Sequence, residues 1–313
     1  MQIMRYGISK HVMGFSGFIE IDEAEYSLIK IARQNLFEML FLEEQLDLVT
    51  ENFYEYETEL LAIASRMMIF SNDDQVSMSR ERNLMGRRIV NLLTAGRMYI
   101  DQSVHHVERM YGANSSTLGI IKKEFNLQYE KSLGYRAMEA LRNYVQHRGV
   151  PIQSIKFSYK VVDPETESQL LFRAIPLIGV LELAEDQAFK RSVLDELKKI
   201  QHDGRVDVRP LIREYMEGIS SIHEKIRESV GPDLVSWERI LDETIEKFQA
   251  KFGKETSLAG LIIASEESDR RWIETITISK VSIERRHALE KKNGSLANLH
   301  KSYASNEIIK DDA

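Results

Sequence analysis

The sequence predicts an α+β protein that is predominantly α, an antiparallel helical bundle followed by a mixed α/β part with short antiparallel strands. Apolar residues recur at steps of three and four over long stretches before Pro151, and the period falls to two directly after it. The polar links between the helical stretches are short, which forces neighbouring helices to reverse direction. With 313 residues, 43 % of them apolar, the chain is long enough to bury a sizeable core. It divides into short N-terminal strands over 1–30, a helical bundle over 31–151 and an α+β domain of unassigned role over 152–313.

The opening stretch "MQIMRYGISKHVMGFSGFIEID" lacks the continuous apolar run of a signal peptide, and its alternation predicts one or two short strands. Nothing later approaches the roughly 20 apolar residues of a membrane span, so a cytoplasmic protein is expected. There is no cysteine, which excludes disulfides, thiol nucleophiles and Cys-ligated metals and fits a reducing compartment. A formal charge of -7 argues against coating nucleic acid through the overall field, while leaving room for a local basic groove.

From Leu42 the apolar positions Leu46, Val49, Phe53, Tyr56, Leu60, Ile63 and Met67 follow at steps of four and three, predicting a long helix with a narrow seam. Its outer face carries Glu43, Glu44, Asp47, Glu51, Glu55, Glu57 and Glu59, with no Lys or Arg between Arg33 and Arg66. "SNDDQ" at Ser71 breaks the pattern, and a second helix is expected over about 79–111. There the charge reverses: Arg80, Arg82, Arg87, Arg88 and Arg97 face the lone acid Glu81 until Asp101. A third helix is expected over about 126–148, stopped by Gly149 and Pro151.

Beyond Pro151, Ile155, Phe157, Tyr159 and Val161 alternate with polar residues, and the turn "DPETE" joins them to Leu170, Phe172 and Ala174 as a hairpin. Helices are expected over about 186–201, 208–229 and 232–252. "LAGLIIAS" and "RWIETITISKVSI" read as strands, the second with a bulge between Ile278 and Val281. "ERRHALEKK" reads as a solvated helix, and the tail "SNEIIKDDA" as frayed.

The stretch carrying chemistry is "EALRNYVQHRGVP", from Glu139 to Pro151. Cations in the last turn of a helix complement its dipole, which accounts for Arg142, His147 and Arg148 as caps worth about 0.3–1 kcal/mol each. The period also sets His147 three residues after Tyr144, beside the apolar seam, with Asn143 on the same stripe, and capping does not require that. Arg142, Asn143 and His147, late in a bundle of long helices, resemble the signature of HEPN domains: an Arg, commonly a polar residue next, then a His after four to six intervening positions. The resemblance covers roughly 31–151.

HEPN domains are all-helical bundles found in many bacterial and archaeal toxins and defence ribonucleases. The resemblance implies metal-independent RNA cleavage, with no cofactor, giving a 2′,3′-cyclic phosphate and a 5′-hydroxyl. His147 would move a proton at the ribose 2′-hydroxyl or the leaving oxygen, and Arg142 would stabilise the phosphorane. Asn143 would orient the imidazole or hold a phosphate oxygen, and Arg148 would clamp the substrate. Five residues place Arg142 and His147 about 140° apart around a helix, so the resemblance also implies a homodimer that pools an Arg and a His from each subunit. The implied partners are RNA and an antitoxin or regulatory protein, with no membrane. Arg87 and Arg88 either line the substrate cleft or pair with the acidic face of the preceding helix. A bundle that binds RNA or protein without cutting is the competing expectation, and an oligomeric structural protein is a third.

Other signals are weaker. Asp101 and His105 stand at i, i+4, a spacing that suits a metal but more often a solvated surface. His105 or His106 would alternatively help build an RNA cleft. His223 adjoins an apolar stripe and reads as a packed residue, and "KFGKETS" has Phe248 three residues before Lys251 where a phosphate loop needs an early glycine after a strand.

Overall fold

The computed structural model describes residues 4–70, 74–161, 170–266, 272–302 and 304. It is predominantly helical with two small antiparallel sheets, as the sequence predicts. The elements are β1 (Arg5–Lys10), β2 (Ile19–Ile21), α1 (Glu23–Ile69), α2 (Gln75–Tyr111), α3 (Ser116–Lys131), α4 (Leu133–Arg148), β3 (Ser154–Val161), β4 (Leu170–Gly179), α5 (Val180–Ala184), α6 (Arg191–Ile200), β5 (Arg205–Asp207), α7 (Val208–Phe252), β6 (Leu261–Glu266), β7 (Trp272–Thr277) and α8 (Val281–Lys292). The expected "SNDDQ" break falls largely outside the described residues, and the "DPETE" turn and the 305–313 tail fall wholly outside them.

The chain divides into two compact units, 1–44 with 103–119 and 226–294, and 45–102 with 120–225 and 295–313. In this division α1, α2, α3 and α7 each contribute to both units. Unit 1 holds a sheet of order β2-β1-β6-β7 that ties the start of the chain to a segment some 250 residues later, with Tyr6 opposite Ser265 and Ile8 opposite Ile263. Gly7 is required there, since a Cβ would lie 2.3 Å from the Phe18 ring. Deep in this unit Arg227 grips the wholly buried Glu43 with two bonds, 2.9 and 2.6 Å.

Unit 2 contains the second half of α1, most of α2, α3 from Ile120 on, α4 and a sheet of order β3-β4-β5. Its buried side chains include Tyr56, Ile63, Met85, Leu92, Tyr99, Met138, Leu141, Ile212 and Tyr215. α1 and α2 run antiparallel, joined by Arg66 to Glu81 and by Arg88 to Glu55. α2 and α4 are also antiparallel. Arg97 meets Glu139 at 3.0 Å, and a Cβ on Gly86, eleven residues earlier, would meet Val150, eleven residues later, at 2.3 Å.

Several boundaries differ from the expected ones, each for a local reason. α1 begins at Glu23 because Asp22 caps it, its Oδ1 accepting from Glu25 N at 2.7 Å. The expected third helix is two, broken at Ser132, whose extended backbone and hydroxyl cap α4 through Tyr135 N. Glu214 accepts from Gly134 N there at 2.9 Å, satisfying a second free donor. Conversely α7 runs unbroken through Gly231 and Pro232. Ile219, Ile222, Ile226, Val230, Leu234 and Leu241 are buried on either side, and that packing outweighs the roughly 3 kcal/mol a helical proline costs.

The helix expected over 186–201 is shorter, α6 starting at Arg191, with α5 before it. β5 was unforeseen; it follows a turn in which Asp203 and Gly204 adopt φ of 52° and 76°. The second late strand stops at Thr277, and α8 takes over at Val281, whose N–H bonds the Ser279 hydroxyl. The register shift lies instead at Ser265 and Glu266 of its partner strand.

Candidate functional site

The signature residues occupy the last turns of α4, within unit 2. Every buried residue of α4 lies between Gly134 and Leu141. Beyond that the helix leaves the core: Arg142, Tyr144 and Val145 are half-buried, while Asn143, Gln146, His147 and Arg148 are exposed. His147 therefore lies on the solvent side and not beside the apolar seam, because the seam is spent by Leu141. Tyr144 does pack, its ring edge-on to Phe189 with centroids 6.4 Å apart.

Arg142 and Asn143 touch: Arg142 Nη1 donates to Asn143 Oδ1 at 3.2 Å. Arg148 turns to Asp186, with Nη2 3.3 Å from Oδ1, and that carboxylate also accepts from Ala188 N. The spacing that separates Arg142 from His147 around the helix holds, since α4 is helical through Arg148. Gly149, at φ 123°, ends it in the left-handed region.

The α2–α4 register sets Arg87 and Arg88 level with the last turn of α4. They do different things. Arg88 pairs with Glu55 and approaches Glu59 at 3.6 Å, and Arg66 pairs with Glu59 and Glu81. To that extent the arginine run neutralises the acidic face of α1. Among the described residues Arg80, Arg82 and Arg87 have no acidic partner, and Arg80 and Arg87 are exposed. With Val76, Ser79, Asn83 and Leu84 they line an open cavity of about 490 Å³.

A buried polar cluster that the sequence did not reveal lies one turn before Arg142. Glu139 bonds Arg97 through one carboxylate oxygen, and the other is buried, with no hydrogen bond of good geometry among the described residues. Burial pushes the Glu139 carboxyl above its ordinary value, Arg97 and Arg142 pull it down, and Asp101 pushes it up. Tyr135 and Tyr215 lie nearby with ring centroids 5.3 Å apart, and burial, then the Glu139 charge, holds both phenols neutral. The only sequence signal was Glu139 sharing a helical stripe with Arg142.

The remaining candidates fall elsewhere. Asp101 pairs with Arg97 at 2.7 Å. Among the described residues no group of three or more His, Asp or Glu side chains is placed to hold a metal ion. His106 is buried against Glu38, with Nδ1 2.5 Å from Oε2, beneath the Phe41 ring. His223 is packed as expected, 1 % exposed, its Nδ1 2.9 Å from the Tyr99 hydroxyl. Among the described residues no helix is long and apolar enough to cross a membrane. No family model matches the chain, and no curated protein or solved structure matches it.

Proposed function

We propose that the protein is a metal-independent endoribonuclease of HEPN type, acting in the cytoplasm as a dimer and serving as a toxin or anti-phage effector under the control of a partner protein. One observation supports this above the rest. The end of α4 presents the half-buried Arg142 and the exposed Asn143 and His147, none of them in an ion pair among the described residues, level with Arg87, which has no acidic partner there either.

His147 carries the proton that cleavage requires, taking it from the 2′-hydroxyl or giving it to the 5′-oxygen. Arg142, steadied by Asn143, supplies fixed positive charge for the phosphorane. Arg87 and Arg148 hold flanking phosphates, Arg148 after exchanging Asp186 for one. The two chemical groups lie on different sides of one helix, so a second subunit completes the site.

A second reading, a bundle that binds RNA or protein without cutting, is favoured by the internal pairing of Arg148 and Arg88, which withdraws two of the expected cations from a substrate. Incubating labelled single-stranded RNA with the protein in EDTA separates the two. Cleavage to a 2′,3′-cyclic phosphate that is lost in both His147→Ala and Arg142→Ala supports the nuclease. Retention without cutting supports an RNA-binding module, and the absence of both rejects the nuclease and RNA binding and supports a structural or protein-binding role. Partial recovery on mixing the two inactive variants supports a site shared between chains.

A further inference from the structure

Among the described residues β3 has a strand partner on one side only. In the order β3-β4-β5 it is an edge, and β5 covers β4 only from Leu177 to Gly179. β3 pairs with β4 along its whole length, from Ser154 opposite Leu177 to Val161 opposite Leu170. Among the described residues, 155–161 and 170–176 therefore form a two-stranded ribbon without a third strand. Such ribbons are marginal in water unless something more is added to them.

Alternation places Ile155, Phe157 and Tyr159 on one face of the ribbon, opposite Pro176, Ala174 and Phe172 on β4. Ile155, Phe157 and Phe172 are half-buried, and Tyr159 is 67 % exposed, its ring 6.5 Å from that of Phe172. Edges that must stay single are shortened, bulged, interrupted by proline or lined with charge, and of these devices β3 has only Lys156 and Lys160, both at positions on the face opposite Phe157. β3 has eight residues, no proline and no shift in its register with β4.

We propose that β3 is a two-fold interface, pairing antiparallel with β3 of a second copy of this chain about Phe157 and joining the two sheets into one of six strands. The sequence "SIKFSYK" is self-complementary about that residue. Phe157 falls opposite its mate and Ile155 opposite Tyr159, so one face is wholly apolar, and on the other face each Lys position falls opposite a Ser position. Centring on Ser158 would instead oppose Lys156 and Lys160, and a centre between two residues would mix the faces. This pattern selects a second copy over an unrelated strand. The proposal stands whether or not the chain cleaves RNA.

The absence of cysteine makes a direct test possible. Directly opposed residues of an antiparallel pair have Cα atoms about 4.5–5.5 Å apart, inside the range a disulfide spans. The wild-type chain is expected to scatter light as a dimer after size-exclusion chromatography. Phe157→Cys is expected to give a covalent dimer on oxidation that dithiothreitol reverses. Tyr159→Cys alone, about 13 Å from its own mate, is expected not to cross-link, whereas mixing it with Ile155→Cys is expected to give a mixed covalent dimer. That mixed arm serves if Phe157→Cys fails to fold, as judged by circular dichroism. A monomer at tens of micromolar, or cross-linking of Tyr159→Cys alone as complete as that of the mixture, overturns the proposal.

Discussion

Replacing Gly96 by Ala tests the packing of α2 against α7 beneath the candidate site. In an exposed helix interior this change stabilises by about 0.5–1 kcal/mol, because glycine loses more backbone freedom on folding than alanine. At Gly96 the added methyl would lie 2.4 Å from the Tyr215 hydroxyl and 2.9 Å from its Cε1. Tyr215 is 1 % exposed, so the ring has nowhere to go. Overpacking a buried site costs about 1–3 kcal/mol, so Gly96→Ala is expected to destabilise by about 1–2 kcal/mol net. Gly119, in α3, has open space where its Cβ would stand, and there the same change is expected to stabilise by about 0.5–1 kcal/mol. Urea unfolding followed by far-ultraviolet circular dichroism measures both, and the midpoints should move in opposite directions at unchanged slope. Tyr215→Phe, which removes the nearest atom, should recover part of the Gly96→Ala loss. Equal stabilisation at the two glycines would refute the placement of Tyr215 against α2.

Two further outcomes follow from the buried charges. Because burial raises the Glu139 carboxyl above its ordinary 4.5, the folded state resists ionising it. The stability of the wild type relative to Glu139→Gln should therefore be greatest below the unfolded pKa and decline as pH rises through the folded one, in a series of urea melts from pH 4 to 7; a difference that grows with pH would contradict this. In unit 1, Arg227→Met removes two hydrogen bonds and an ion pair from the wholly buried Glu43 and should destabilise by roughly 2 kcal/mol or more, while Glu43→Leu with Arg227→Met should recover part of the loss. Thermal melts of these two variants and of Glu43→Leu alone suffice, and an additive double variant would sink the account.

Much of the fold is legible from local pattern. The seam from Leu42 to Ile63 is buried as its spacing predicts, and the hairpin of β3 and β4 has the register its alternation implies. The failures lie where a distant residue decides. Ser132 reads as an ordinary polar residue until Glu214, 82 positions away, supplies the second partner that ends one helix and starts another. Gly231 and Pro232 are a stop signal in isolation, overruled by buried side chains on both flanks. The pairing of β1 with β6 carries no local signature at all, since nothing near Ile8 specifies Ile263.

At the candidate site the same reasoning separates what spacing determines from what burial determines. That Arg142 and His147 face different ways is a property of the helix, and it holds. That His147 borders the seam assumed that the seam lasts to the end of the helix, whereas a buried stripe lasts only as long as something covers it, and here that ends at Leu141. The arginine run makes the point more sharply. Arg87 and Arg88 are adjacent and chemically equal in the sequence, yet one turn of 100° hands Arg88 to Glu55 and leaves Arg87 to solvent. Net charge and motif count treat them alike. Of the two, Arg87 carries charge that a phosphate would not have to win from a carboxylate of the described residues, so Arg87→Ala should weaken RNA binding more than Arg88→Ala, while Arg88→Ala should unsettle the α1–α2 pairing more.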